Sequence, residues 1–144
     1  MTDFYNFILQ FHSGWAYLVL LLSVIMLIAV LYHFFTKKPL QRSIRKIFFY
    51  TVLSFHIQFL IGVVLYIVSP RITAFWSGAS PMGDSTARLY IVEHPLMMFT
   101  AVILITIANV KLKKNDIVQL SPVIFTAIAM LCFYMIPWSQ WLMG

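Results

Sequence analysis

Four apolar runs, each about as long as a bilayer is thick, are separated by short segments that gather almost all of the charge. A membrane helix needs about 20 mostly apolar residues to cross a hydrocarbon core of roughly 30 Å. Residues 15–35, 47–68, 89–110 and 117–138 meet that requirement. The first run carries His33 as its one ionisable residue, the second His56 and Gln58, the third Glu93, His94 and Pro95, and the fourth Pro122 and Pro137. None shows the period-2 alternation of a transmembrane strand. The expected fold class is therefore all-α, a polytopic membrane protein built as a four-helix transmembrane bundle. Residues 1–144 form one domain with spans at about 4–35, 47–68, 87–110 and 117–138.

Composition supports the same class. The chain is 62% hydrophobic and 10% charged, with a mean hydropathy of +0.91, whereas soluble domains carry about a quarter charged residues. Disordered chains, disulfide scaffolds and most soluble enzymes are excluded. A net charge of +6 suggests nucleic acid only where a basic patch faces water, and here the basic residues sit in loops between apolar runs. Cys132 stands alone in an apolar span, so no intrachain disulfide is possible and a buried structural thiol is expected.

Orientation follows from Lys and Arg in the short loops. Lys37, Lys38, Arg42, Arg45 and Lys46 lie between the first two spans, and Lys111, Lys113 and Lys114 between the last two. Arg71 and Arg88 remain for the other side. Eight against two puts both basic loops in the cytoplasm and both termini outside. Trp15, Tyr17, Phe75, Trp76, Trp138 and Trp141 suit the outer interface.

Residues 1–14 lack the basic opening of a signal peptide. Phe4, Ile8, Phe11 and Trp15 recur at helical spacing, so the first helix should begin near Asp3 and run for about 48 Å, tilting or projecting from the bilayer. Between Ser69 and Thr86, Pro70, Gly78, Pro81 and Gly83 discourage regular structure. That stretch should be the longest non-helical one.

Polar exceptions carry the functional reading, because ionisable residues in spans are costly and mark function. Ser54, Thr100, Thr106 and Thr126 are expected to bond back to their own helices. His33, beside the basic loop, is expected to reach the headgroups. His12, His56 and His94 can serve as axial haem ligands. Counting 1.5 Å per residue from the cytoplasmic level puts His12 and His94 within ~7 Å of one another in depth and His56 ~10 Å or more below them. His12 and His94 are therefore the expected iron ligands, near the outer face, with Gly14 or Gly62 leaving room for a porphyrin. His56 is expected inside the bundle, bonded to Ser54 or Gln58, or touching a haem propionate or a quinone.

Pro95 removes a backbone donor and frees the Ile91 carbonyl, and Glu93 is expected to pair with Arg88 or Arg71. Met97 and Met98 share a helix face with His94, which admits Cu(I) but also ordinary core filling. No phosphate loop, CxxCH, HExxH or serine triad is present.

The chain resembles a family of small bacterial four-span membrane proteins described as cytochrome-b-like. The resemblance spans nearly the whole chain. It rests on His12-Ser13-Gly14 with a nearby Trp opening the first span, Val92-Glu93-His94 opening the third, and Ile136-Pro137-Trp138 closing the fourth. Where family members carry a basic residue just after the Gly, this chain has Trp15 and Ala16.

The resemblance implies haem b. It leads to the expectation of an electron-transfer protein in a bacterial inner membrane, not an enzyme on its own, with quinone or other membrane-complex subunits as partners beside the lipid and no nucleic acid. The alternative is a haem-free accessory subunit of a larger membrane complex, its polar residues making interhelical contacts. A carrier built around His56 and Glu93 is a third class, without the repeated broken helices such proteins use.

Overall fold

The structure is a computed structural model that describes residues 2–78 and 83–138. Helix α1 spans Thr2–Thr36, α2 Arg42–Val68, α3 Pro70–Trp76, α4 Ser85–Arg88, α5 His94–Lys113 and α6 Leu120–Leu131. A π-helical turn, Leu89–Glu93, joins α4 to α5, and a 3-10 turn, Cys132–Met135, extends α6. Among the described residues there is no strand.

The four main helices form a closed ring in chain order: α1 packs on α2, α2 on α5, α5 on α6, and α6 back on α1. Short connections join α1 to α2 and α5 to α6 as antiparallel pairs, while α3, α4 and the π turn lie between α2 and α5. Phe48, Met26, Val30 and Ile105 fill the centre and are almost wholly buried. The outside is equally apolar: Phe35, Ile67 and Leu60 are 75%, 69% and 64% exposed. A helix apolar all round belongs in lipid or in the core of something larger. Helices Asp3–Thr36, Arg42–Val68 and Ser85–Lys113 are each long and apolar enough to cross a membrane.

The fourth apolar segment is shorter, Leu120–Met135. Its expected start lies in a turn and loop, and Ile136 turns to extended backbone before Pro137, as residues preceding proline prefer. Twelve α-helical and four 3-10 residues cover about 26 Å. Helix α1, at 35 residues, is about 52 Å long and overshoots any hydrocarbon core.

Two expectations are corrected here. The stretch after Ser69 is not irregular throughout, because α3 occupies Pro70–Trp76; Ser77, Gly78, Gly83 and Asp84 are non-helical as expected. Pro70 sits in the first turn of that helix, where its missing N–H has no intrahelical role, and Ser69 before it is extended. His33 does not reach outward; its ring is buried and its Nδ1 bonds the Ala29 carbonyl at 2.8 Å. A carbonyl one turn back in its own helix partners Nδ1. Pro81 and Trp141 lie outside the described residues.

Both basic loops lie at the same end of the bundle and are tied to each other. The Leu40 N–H donates to the Asp116 carbonyl at 2.9 Å. The Arg45 guanidinium donates to the carbonyls of Leu112 at 2.7 Å and Asn115 at 2.8 Å, with the Asp116 carboxylate 3.7 Å away. Arg45 thus engages the end of α5, whose last carbonyls lack intrahelical donors. Ser54, Thr100, Thr106 and Thr126 all bond carbonyls three or four residues back in their own helices, as expected.

Candidate functional site

The entrance to α5 is where helical regularity fails, and the failure has a local cause. Pro95 has no N–H to give the Ile91 carbonyl four residues earlier. The chain widens by one residue here, so that the His94 N–H reaches the Leu89 carbonyl in a π-type bond. The vacant Ile91 carbonyl is taken from another helix: the Tyr66 hydroxyl of α2 donates to it at 3.1 Å. Wide turns of this kind are frequent at functional sites. Beside it, the Arg88 Nε donates to the Glu93 carboxylate at 2.6 Å, the expected ion pair, and the Arg71 guanidinium lies over the Tyr90 ring.

This arrangement yields a stability prediction. Tyr66→Phe should cost about 1–3 kcal/mol by stranding a carbonyl, read from the thermal unfolding of purified protein. In a Pro95→Ala background the introduced alanine brings its own N–H, and the same Tyr66 substitution should cost less than half as much. Equal costs in the two backgrounds would mean that the Tyr66 hydroxyl does not replace the proline's missing donor.

His94 then points into the bundle. Its Nδ1 lies 3.0 Å from the carbonyl of Met135, the last residue of the 3-10 turn. A carbonyl only accepts, so Nδ1 carries the proton and Nε2 keeps its lone pair. This is the state in which a histidine binds metal, with the second ring nitrogen held by a backbone carbonyl.

His12 meets His94 across the ring of helices, from α1 to the head of α5. The ring centroids are 6.3 Å apart and the planes cross at 86°. His12 Nδ1 is sealed from solvent and has no hydrogen-bond partner; neither does Gln58 Oε1. The Gln58 amide N–H₂ donates to the His12 carbonyl at 2.8 Å, so two orphaned polar atoms belong to residues already in contact. Unpaired buried polar groups are rare in native proteins. Nearby, the Trp15 indole N–H donates to the Ser54 carbonyl at 3.0 Å, adding a second α1–α2 link.

Space beside His12 comes from Gly62. A Cβ placed on Gly62 would stand 3.2 Å from His12 Cε1, whereas one on Gly14 would meet nothing within 4 Å. Gly14 is exposed on the outside of α1. Of the two glycines considered from the sequence, Gly62 borders the imidazole and Gly14 does not. An apolar groove of 330 Å³ between Phe7, Ile8, Phe11, Leu60, Ile61 and Val64 flanks the same stretch of α1 and α2.

His56 stands apart. Its Nε2 lies 2.9 Å from the Thr106 hydroxyl, which puts it level with a residue about 18 Å along α5 from His94. It is exposed on the outside of the bundle, not bonded inside to Ser54 or Gln58 as expected. Ser54 is buried on its own helix's carbonyl and Gln58 turns to His12. Met97 and Met98 pack against the hydrophobic core.

The two-imidazole pair can be tested against metal geometry. A metal–nitrogen bond of about 2.0 Å puts a ring centroid about 3.1 Å from the metal, so imidazoles opposed across one ion stand about 6 Å apart and those at a tetrahedral angle about 5 Å. The observed 6.3 Å is near the first of these values and is equally the spacing of an edge-to-face ring contact. Among the described residues no cluster of three or more His, Cys, Asp and Glu is placed to hold a metal, so the pair offers two protein nitrogens at most. Haem with two axial histidines needs no third protein ligand.

Gln58, Tyr66 and the Met135 carbonyl were not foreseen in these roles. Only Tyr66 had a sequence signal, since Pro95 announces an Ile91 carbonyl that needs a donor. Comparison with family models, with curated proteins and with solved structures finds no match.

Proposed function

We propose that the protein is a four-span membrane electron-transfer protein that holds a b-type haem between His12 and His94 near the outer end of the bundle. The observation that carries this reading is the approach of two histidines from different helices at a separation near that of opposed ligands, one of them with its proton already fixed on Nδ1 by a carbonyl. When bound, the haem supplies a one-electron iron couple. The chain's part is to orient and to exclude. The Met135 carbonyl fixes the tautomer and plane of His94, and such outer partners tune ligand basicity. Gln58 holds the His12 backbone. The apolar bundle excludes water, and burial is one of the levers that set a redox potential.

Joined basic loops at one bundle end support a cytoplasmic position for that end, with the site then facing outward across a bacterial inner membrane. Quinones and other membrane-complex subunits are the partners this reading admits.

The deciding measurement is the visible spectrum of protein purified from haem-replete cells. Sharp reduced-state bands of low-spin b-type haem, at one haem per chain, are expected. Folded protein with no haem would leave a haem-free accessory subunit as the reading. For topology, Lys38→Cys and Lys113→Cys in a Cys132→Ser background should resist impermeant thiol reagents in intact cells and react after the cytoplasmic face is opened. Ready labelling from outside would reverse the orientation.

A further inference from the structure

We infer that the outward seam between α2 and α5 at His56 is a binding site for a lipid-soluble hydroxyl donor of the quinol class. His56 is about 21 Å along α2 from Arg42 and about 18 Å from Val68, so it lies at the middle of a membrane-spanning helix. It is nevertheless exposed on the outside of the bundle. Ionisable residues in spans almost always face the interior or a water-filled cavity, because hydrocarbon offers them no partner. The ring is thus placed where the folded chain alone leaves it under-satisfied.

The hydrogen bonds fix which atom needs a partner and of what kind. The Thr106 hydroxyl has one hydrogen, and it goes to the Val102 carbonyl at 2.6 Å. The contact of 2.9 Å between Thr106 Oγ1 and His56 Nε2 is then made by an Nε2–H donating to that oxygen. A ring with a single proton has then spent it on Thr106, which leaves Nδ1 with a lone pair and no hydrogen. What the seam offers the bilayer is an acceptor without a donor. A lipid chain cannot satisfy it. A second copy of this chain meeting the first through the same surface would oppose acceptor to acceptor.

The surroundings select a slender apolar partner over a helix. Large side chains within one or two turns of His56 and Thr106 are exposed on both helices, with Leu60 at 64%, Phe99 at 48%, Ile103 at 43% and Leu53 at 42%. Helices approach closely in membranes through small residues, and none of these is small. One turn from His56, Phe59 and Phe99 bridge α2 and α5 with ring centroids 5.5 Å apart, an aromatic surface on which a quinol ring can lie. A quinol O–H reaching Nδ1 completes the His56–Thr106–Val102 chain of hydrogen bonds. The quinone form has no O–H and lacks that bond, so this site prefers the reduced form.

The inference rests on the electron-transfer reading for its purpose and on His56 alone for its chemistry. The experiment uses protein with ¹⁵N-labelled histidine in detergent under anaerobic conditions. The His56 Nδ1 resonance is identified by its absence from His56→Leu. Duroquinol, duroquinone and the dimethyl ether of duroquinol are the probes, and haem absorbance is recorded on the same samples. Duroquinol should move the Nδ1 signal upfield and saturably, while duroquinone and the ether leave it in place. Thr106→Val frees the tautomer and should weaken duroquinol binding about ten-fold, the loss expected for one hydrogen bond.

Equal shifts with all three probes would reduce the effect to apolar partitioning and overturn the inference. So would no shift, or His56→Cys chains that crosslink in pairs through that position. Quinol binding in protein without haem keeps this site and discards the electron-transfer reading; haem with no response at His56 does the reverse.

Discussion

In the proposed haem site, His12→Ala and His94→Ala should each abolish the low-spin spectrum completely, while His33→Ala and His56→Ala retain it. The expectation comes from geometry. Both imidazoles of the pair lie at 6.3 Å, and low-spin b-type haem of this kind needs two nitrogen ligands. Removing either would leave the group one protein ligand short, with broadened bands and low occupancy expected. His33 is buried on its own helix carbonyl, and His56 is on the outer surface about 18 Å along the bundle from His94.

The two ligand variants should also differ from each other. Loss of His94 strands the Met135 carbonyl, which closes the end of the α6 segment, and should lower thermal stability by about 1–3 kcal/mol. Loss of His12 removes an orphaned Nδ1 and strands no partner, so the apoprotein should unfold at nearly its original temperature. Spectra with circular dichroism as a folding control make the measurement. A His12→Ala protein with unaltered low-spin bands would end the bis-histidine reading.

How much of this was legible beforehand depended on how local each signal was. Three long apolar helices were legible because the number of apolar residues needed to cross a bilayer is fixed and charged loops separate the runs, whereas the fourth is shorter than its apolar run. The third helix boundary was partly legible, since Pro95 marks a break, yet the π turn depends on Leu89 reaching His94 and on Tyr66 arriving from α2. The pairing of His12 with His94 followed from depth, which is a one-dimensional count. Rotation about the helix axis is not contained in that count. Proximity in sequence offers Gly14 as well as Gly62 as the gap beside His12, and the structure turns Gly14 outward. His56 suffered the same fate. An apolar surround on every face leaves no amphipathic stripe to report which side is inside, so residues of α2 could be ranked by depth but not by direction. In a soluble bundle a polar face would have supplied the missing angle.

Gly62 and Gly14 give that angular argument its test. A Cβ at Gly62 would stand 3.2 Å from His12 Cε1, close enough that the ring must yield by a few tenths of an ångström. Gly62→Ala should therefore shift the haem bands or lower occupancy, and Gly62→Leu should eliminate low-spin haem by driving the ring off its line with His94. Overpacking of this kind costs typically about 1–3 kcal/mol, partly offset by about 1 kcal/mol from replacing a mid-helix glycine, so the Leu variant should still fold. Gly14→Leu faces open space and should keep the spectrum while gaining up to about 1 kcal/mol from helix propensity. The pair separates steric exclusion at the site from general perturbation, since both positions lie in long helices and receive the same side chain. Haem retained unchanged in Gly62→Leu, or lost in Gly14→Leu, would mean that α1 and α2 face one another differently from the arrangement described.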